Sequence, residues 1–109
     1  MRGQIRYENV PSLTRPDILS SGRPVVVVSA RPDRSVVQVV PITSNPAKLT
    51  DGDPMHVHVV IKNESNVALC EQLRTVRHTE LRRHPIGSVS DEEMEAINKA
   101  LRDLLGLKS

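Results

Sequence analysis

The chain has 109 residues, the size of one domain, with 15 Lys/Arg against 13 Asp/Glu for a net charge of +2. Phe and Trp are absent and Tyr and Cys occur once each, so the core must be built from Val, Ile, Leu and Met. The lone Cys70 excludes an intramolecular disulfide and a thiolate metal cluster. No run approaches the roughly 18 apolar residues of a membrane span, and the start lacks a signal-peptide apolar region, which predicts a cytoplasmic protein with no membrane partner.

Gln4 to Glu8 alternates polar and apolar residues and predicts a half-buried strand with Ile5 and Tyr7 on one face. Pro11 to Gly22 reads as a loop, punctuated by Pro11, Pro16 and Ser20-Ser21-Gly22, whose Leu13, Ile18 and Leu19 need cover. Arg23-Pro-Val-Val-Val-Val-Ser29 and Val36-Val-Gln-Val-Val-Pro-Ile-Thr-Ser44 are the most hydrophobic stretches. β-Branched side chains pack well on a pleated surface, so both read as strands, joined by a turn over Ala30–Ser35. Four consecutive valines carry no alternation, which predicts a strand buried on both faces. In an antiparallel pair the start of one strand lies beside the end of the next. Arg23, Thr43 and Ser44 are therefore expected to converge on one edge of the sheet, and that edge is the predicted site.

A second loop spans Asn45 to Pro54 and also flanks the edge. Met55 to Ile61 is a further strand, followed by a turn at Lys62–Asn66. Val67–Cys70 returns to the sheet and Gln72–Val76 prolongs it; Thr79–Arg83 fits one helical turn, and Ile86–Val89 a short extended piece. His56 and His58 fall on one face of their strand, a spacing that can chelate a metal. With no Cys partner and only Asp51 or Asp53 nearby, they read instead as the solvent face opposite Val57 and Val59, and no metal site or cofactor is expected. Ser90 and Glu93 make a capping box, Asp91 to Glu93 complement the helix dipole, and Met94, Ile97, Leu101 and Leu104 form one apolar face ended by Gly106. The outline is mainly β with one C-terminal helix: five or six antiparallel strands in a strongly bent sheet or small barrel. Residues 1–89 carry +4 and residues 90–109 carry −2, compatible with a polyanionic partner and equally with an ordinary solvated surface.

Four motifs in order resemble the MazF/PemK (Kid) family: Arg23-Pro-Val-Val-Val-Val-Ser29, Val-Pro-Ile-Thr-Ser44, Glu71-Gln-Leu-Arg-Thr-Val76, and Ile86-Gly-Ser-Val-Ser90 opening a helix that ends Leu-Gly-Leu107. The resemblance spans Gly3 to Leu107. It implies a single SH3-like barrel domain that dimerises and cleaves single-stranded mRNA at short motifs without metal. It also implies an antitoxin whose tail fills the RNA groove. The chain departs from the family at Gln4, where Asp is usual, at the 11–22 loop, at Arg77, where Asp is frequent, and at Leu69, where the PemK branch has a catalytic Arg.

Metal-free RNA cleavage uses the neighbouring 2′-hydroxyl as nucleophile and needs a base, a cation for the phosphorane and a proton donor for the leaving oxygen. Arg23 suits the phosphate because its planar guanidinium donates two parallel hydrogen bonds and stays charged. Thr43 matches the family's active-site threonine. Glu71, placed near Arg23, would act as base or hold the guanidinium; the orienting role is favoured because a carboxylate paired to Arg has low basicity. Ser44, Gln72 and Arg74 are the expected RNA contacts, while His78 and His84 add basic surface. Two rival readings share the fold: a CcdB-like toxin that poisons DNA gyrase, and a silent member that only binds its antitoxin or RNA.

Overall fold

The computed structural model describes residues 2–9, 23–31 and 33–107. The 11–22 loop and Pro32 of the Ala30–Ser35 turn lie outside them. The described residues hold six antiparallel strands of four residues or more: β1 (Gln4–Glu8), β2 (Arg23–Val27), β3 (Val36–Thr43), β4 (His56–Ile61), β5 (Glu64–Leu69) and β6 (Arg74–Arg77). A two-residue β7 (Gly87–Ser88) and helix α1 (Asp91–Leu105) follow.

β3 organises the sheet. Its middle pairs with β2 (Val25 with Pro41, Val27 with Val39), while its other edge takes β6 along Val36–Val39 and β5 at Ile42–Thr43. β1 pairs with β2, and the chain after β6 returns to the free edge of β1: Asn9 donates to Glu80 O, Arg82 to Tyr7 O and Ile86 to Ile5 O. The sheet thereby curls into a small barrel.

Curling explains the four valines. Val26 and Val28 join Ile5, Val40, Val59, Ala68 and Ile97 in a core between sheet and helix. Val25 and Val27 face the other way, into a second cluster with Val37, Val39, Val76 and Leu81. A strand with apolar partners on both sides has no polar face to display.

Three details differ from the sequence reading. The turn after β4 is only Lys62–Asn63, both at positive φ (50° and 67°), the geometry of a tight hairpin, so Glu64–Asn66 belong to the strand. Gln72–Val76 does not prolong β5: a 3-10 turn at Cys70–Gln72 redirects the chain, and β6 pairs with the opposite half of β3. The expected helical turn near Thr79 is a 3-10 turn at His78–Glu80.

α1 starts at the expected capping box, Glu93 N–H donating to Ser90 Oγ (3.1 Å) and Ser90 N–H to Glu93 Oε1 (2.8 Å). Glu93 Oε2 also accepts the outward N–H of Val60 (2.7 Å), so this residue ties the helix start to the edge strand. Gly106, at φ 69°, closes the helix in the left-handed region. Ile97 and Ala100 are fully covered and Met94 and Leu101 pack beside them. Leu104, expected on that face, is 39% exposed, in a last turn where residues 103–105 are all exposed.

Candidate functional site

The β1–β2–β3 register brings the predicted edge together. Glu8 lies opposite Arg23, and continuing the Val25–Pro41 pairing by two residues sets Arg23 abreast of Thr43. Arg23, Pro41 and Gln72 line two adjoining depressions. One, of about 530 Å³, is completed by Glu8, Asn9, Arg74 and Glu80. The other, of about 370 Å³, includes Thr43, Ser44, Asn66 and Leu69. Five of the six predicted site residues thus share one surface: Arg23, Thr43, Ser44, Gln72 and Arg74.

Strand ends and a turn hold these groups. Arg23 opens β2, one residue ahead of buried Val25 to Val27, which anchors its backbone. Thr43 Oγ1 accepts the Asn45 N–H (3.1 Å), leaving the hydroxyl proton to be given elsewhere. Arg74 is clamped by Glu8, whose two oxygens take both terminal guanidinium nitrogens, one at 2.7 Å. Glu8 is only 5% exposed. Such a forked pair fixes the plane of the guanidinium as well as its position. Beside it Arg82 stacks over Tyr7, 5.3 Å from the ring centre, and donates to Asn9 Oδ1 (3.1 Å). The single aromatic ring therefore already has a cation on one face.

Glu71 is elsewhere. It lines neither depression, and its Oε2 lies 2.9 Å from His56 Nε2. His56 is not on the solvent face expected of it. Its side chain is 7% exposed and faces Asp51 and Asp53 as well as Glu71, whereas His58 is exposed. Burial disfavours the imidazolium, but the hydrogen bond and charge of Glu71, with the charges of Asp51 and Asp53, outweigh it and raise the pKa of His56. Asp51 is held below the ordinary carboxylate range first by the Asp53 N–H it accepts, then by His56. Cys70, next in sequence to Glu71, has its thiol pushed up to about 11 by burial and by the Glu71 charge.

Sequence reasoning missed Glu8, Asn9 and Glu80. Glu8 closes an alternating strand and reads as a solvent-facing residue; in the fold residues 80–82 pair along the edge of β1 and Arg74 lies on its carboxylate.

The arginine-lined depression thus sits at the strand ends of a strongly curled antiparallel sheet that packs against one C-terminal helix. The family model described as PemK-like, MazF-like toxin of type II toxin–antitoxin system matches residues 1–105, and the chain belongs to that family. Among solved structures it is similar to the Mycobacterium tuberculosis toxin MazF-mt6, with 23% identity, TM-score 0.72 and coverage of 97% of this chain and 99% of that one. It is similar to MazE–MazF (form II) from Deinococcus radiodurans, with 21% identity, TM-score 0.76 and coverage of 98% and 95%. A mycobacterial endoribonuclease in complex with its cognate antitoxin matches with 24% identity, TM-score 0.71 and coverage of 100% and 95%. Among curated proteins, no sequence matches this one. No helix among the described residues is long and apolar enough to cross a membrane.

Proposed function

We propose that this chain is a metal-independent endoribonuclease that cuts single-stranded mRNA at short motifs, working in the cytoplasm as a homodimer neutralised by a cognate antitoxin. The observation that carries this reading is the convergence of Arg23, Thr43 and Gln72 on one depression beside the clamped Arg74. Family membership and the antitoxin-bound structures among its neighbours support the partner.

In this reading the 2′-hydroxyl oxygen of one nucleotide attacks the adjacent phosphorus. The bond to the 5′-oxygen breaks, leaving a 2′,3′-cyclic phosphate and a 5′-hydroxyl. Arg23 carries the charge of the phosphorane, where a fixed guanidinium does most to lower the barrier. Thr43 donates a hydrogen bond from its hydroxyl to a phosphate oxygen, and a water molecule gives the leaving 5′-oxygen its proton. Arg74, Gln72 and Ser44 hold the flanking backbone and bases. The 2′-hydroxyl proton passes to Glu80, which has no ion pair among the described residues; Glu8 is committed to Arg74. Glu71 acts at one remove, by anchoring the turn that presents Gln72.

The test is incubation of the purified protein with a long, unstructured RNA in excess EDTA, mapping new 5′ ends beside Arg23→Ala. Removing a cation aimed at the developing charge is expected to lower cleavage by about 10²–10³-fold, with the circular dichroism of the fold unchanged. Equal cutting by both proteins would remove Arg23 from the reaction. No cutting by a folded parent would favour the gyrase-poisoning or silent readings.

A further inference from the structure

The cup around His56 touches none of the reacting atoms in the cleavage just described; it lies behind the turn that presents Gln72. Strand pairing builds it: His56 opens β4 opposite Leu69 of β5, so the Cys70–Gln72 turn delivers Glu71 to one ring nitrogen. The segment ahead of β4 delivers the aspartates. Asp51 Oδ1 accepts the Asp53 N–H (3.0 Å) and Asp53 Oδ1 accepts the Met55 N–H (2.9 Å), which leaves the Oδ2 atom of each turned to the imidazole. Nε2 is 2.9 Å from Glu71 Oε2 and 3.6 Å from Asp53 Oδ2, and Nδ1 is 2.8 Å from Asp51 Oδ2.

An imidazole more than nine-tenths buried among three carboxylates is unusual for a surface strand. Its buried Nδ1 lies 2.8 Å from Asp51 Oδ2, so a carboxylate is in reach of the ring nitrogen that an ion on Nε2 would leave free. The ligand atoms of Asp53, His56 and Glu71 lie within 4.8 Å of one another. A first-row ion with bonds of about 2.0–2.2 Å to imidazole nitrogen and carboxylate oxygen sets tetrahedral neighbours roughly 3.4 Å apart, between the 2.9 and 3.6 Å found here. Asp53 and Glu71 side chains are 41% and 32% exposed, which gives an ion a way in and leaves room for a water ligand.

We infer that His56 Nε2, Asp53 and Glu71 bind one divalent transition-metal ion, zinc by its donor set, with Asp51 on Nδ1 as the carboxylate that orients the ring. The ion joins the segment ahead of β4 to the Cys70–Gln72 turn, whose last residue lines the Arg23 depression. Its work is structural, and the inference stands whether or not the protein cuts RNA.

The experiment titrates the metal-stripped full chain with Co²⁺ at pH 8, following the visible d–d absorption, and then displaces it with ZnCl₂. One ion per chain is expected, with affinity reduced at least tenfold in Asp53→Asn and in His56→Gln and retained in His58→Gln. Zn²⁺ at 100 times its dissociation constant should raise the melting temperature of the parent by about 10 °C, and at that same concentration that of Asp53→Asn by far less. Since His56→Gln can fail to fold, the partly exposed Asp53 decides. A folded parent that takes up no Co²⁺ at millimolar concentration overturns the proposal. So does binding that survives Asp53→Asn, or that is lost equally in His58→Gln.

Discussion

Truncating Arg74 should cost far more stability than its surface position suggests. Glu8 is 5% exposed and its two carboxylate oxygens are both spent on the Arg74 guanidinium. Arg74→Ala therefore leaves the nearly covered Glu8 carboxylate without the partner of both its oxygens. Breaking a buried pair in this way costs about 3–5 kcal/mol. The Arg74 side chain is 40% exposed, so water can enter the vacated space, and the lower end, about 3 kcal/mol, is expected. Glu8→Gln is the milder change. It leaves a cation that water can reach and an amide oxygen that still accepts one bond, for a loss of about 1–2 kcal/mol. Against a total stability of about 5–15 kcal/mol for a domain of this kind, the two are readily separated. Equilibrium urea unfolding measures them, with the slope against denaturant required to stay constant. Adding Glu8→Gln to Arg74→Ala should recover part of the loss, because the stranded charge is then gone. Arg74→Ala costing less than Glu8→Gln, or less than about 1 kcal/mol, would show that Glu8 is not a buried charge held by its partner.

Two further outcomes follow from the packing. Ile97 is the one large, fully buried side chain of α1, and Ile97→Ala should cost about 2–5 kcal/mol with m unchanged, read by the same unfolding curve; a loss under 1 kcal/mol would mean the helix is not docked on the sheet. Cys70 has its thiol raised to about 11 by burial, so at pH 8 it should resist a disulfide reagent that modifies the urea-unfolded chain within minutes. The same shift fixes a sign. The folded value lies above the unfolded one, so the neutral thiol's contribution is complete below about pH 9 and is lost as pH rises towards 11.

Local pattern was enough for the elements. The valine runs, the alternation in Gln4–Glu8, the Ser90–Glu93 capping box and the terminal Gly106 each express physics that acts within a few residues, and each stands where the pattern put it. The convergence of Arg23 with Thr43 was also legible, because antiparallel pairing through a short connection leaves little freedom in which strand ends meet. Glu71 was not. Its neighbours in sequence suggested a partner for Arg23, but the 3-10 turn at Cys70–Gln72 rotates it towards His56 while Gln72 keeps the Arg23 side. Likewise, alternation put His56 and His58 on one face, yet only the packing of the 51–55 segment and the Cys70–Gln72 turn decides which of the two is buried among acids. Glu8 shows the same limit: whether a polar residue at a strand end meets water or an arginine depends on which distant segment covers that edge. Burial and charge pairing are sums over groups far apart in the chain, so the strands and the helix could be read from the sequence alone, whereas the partners of Glu8, His56 and Glu71 were decided by the closed tertiary fold.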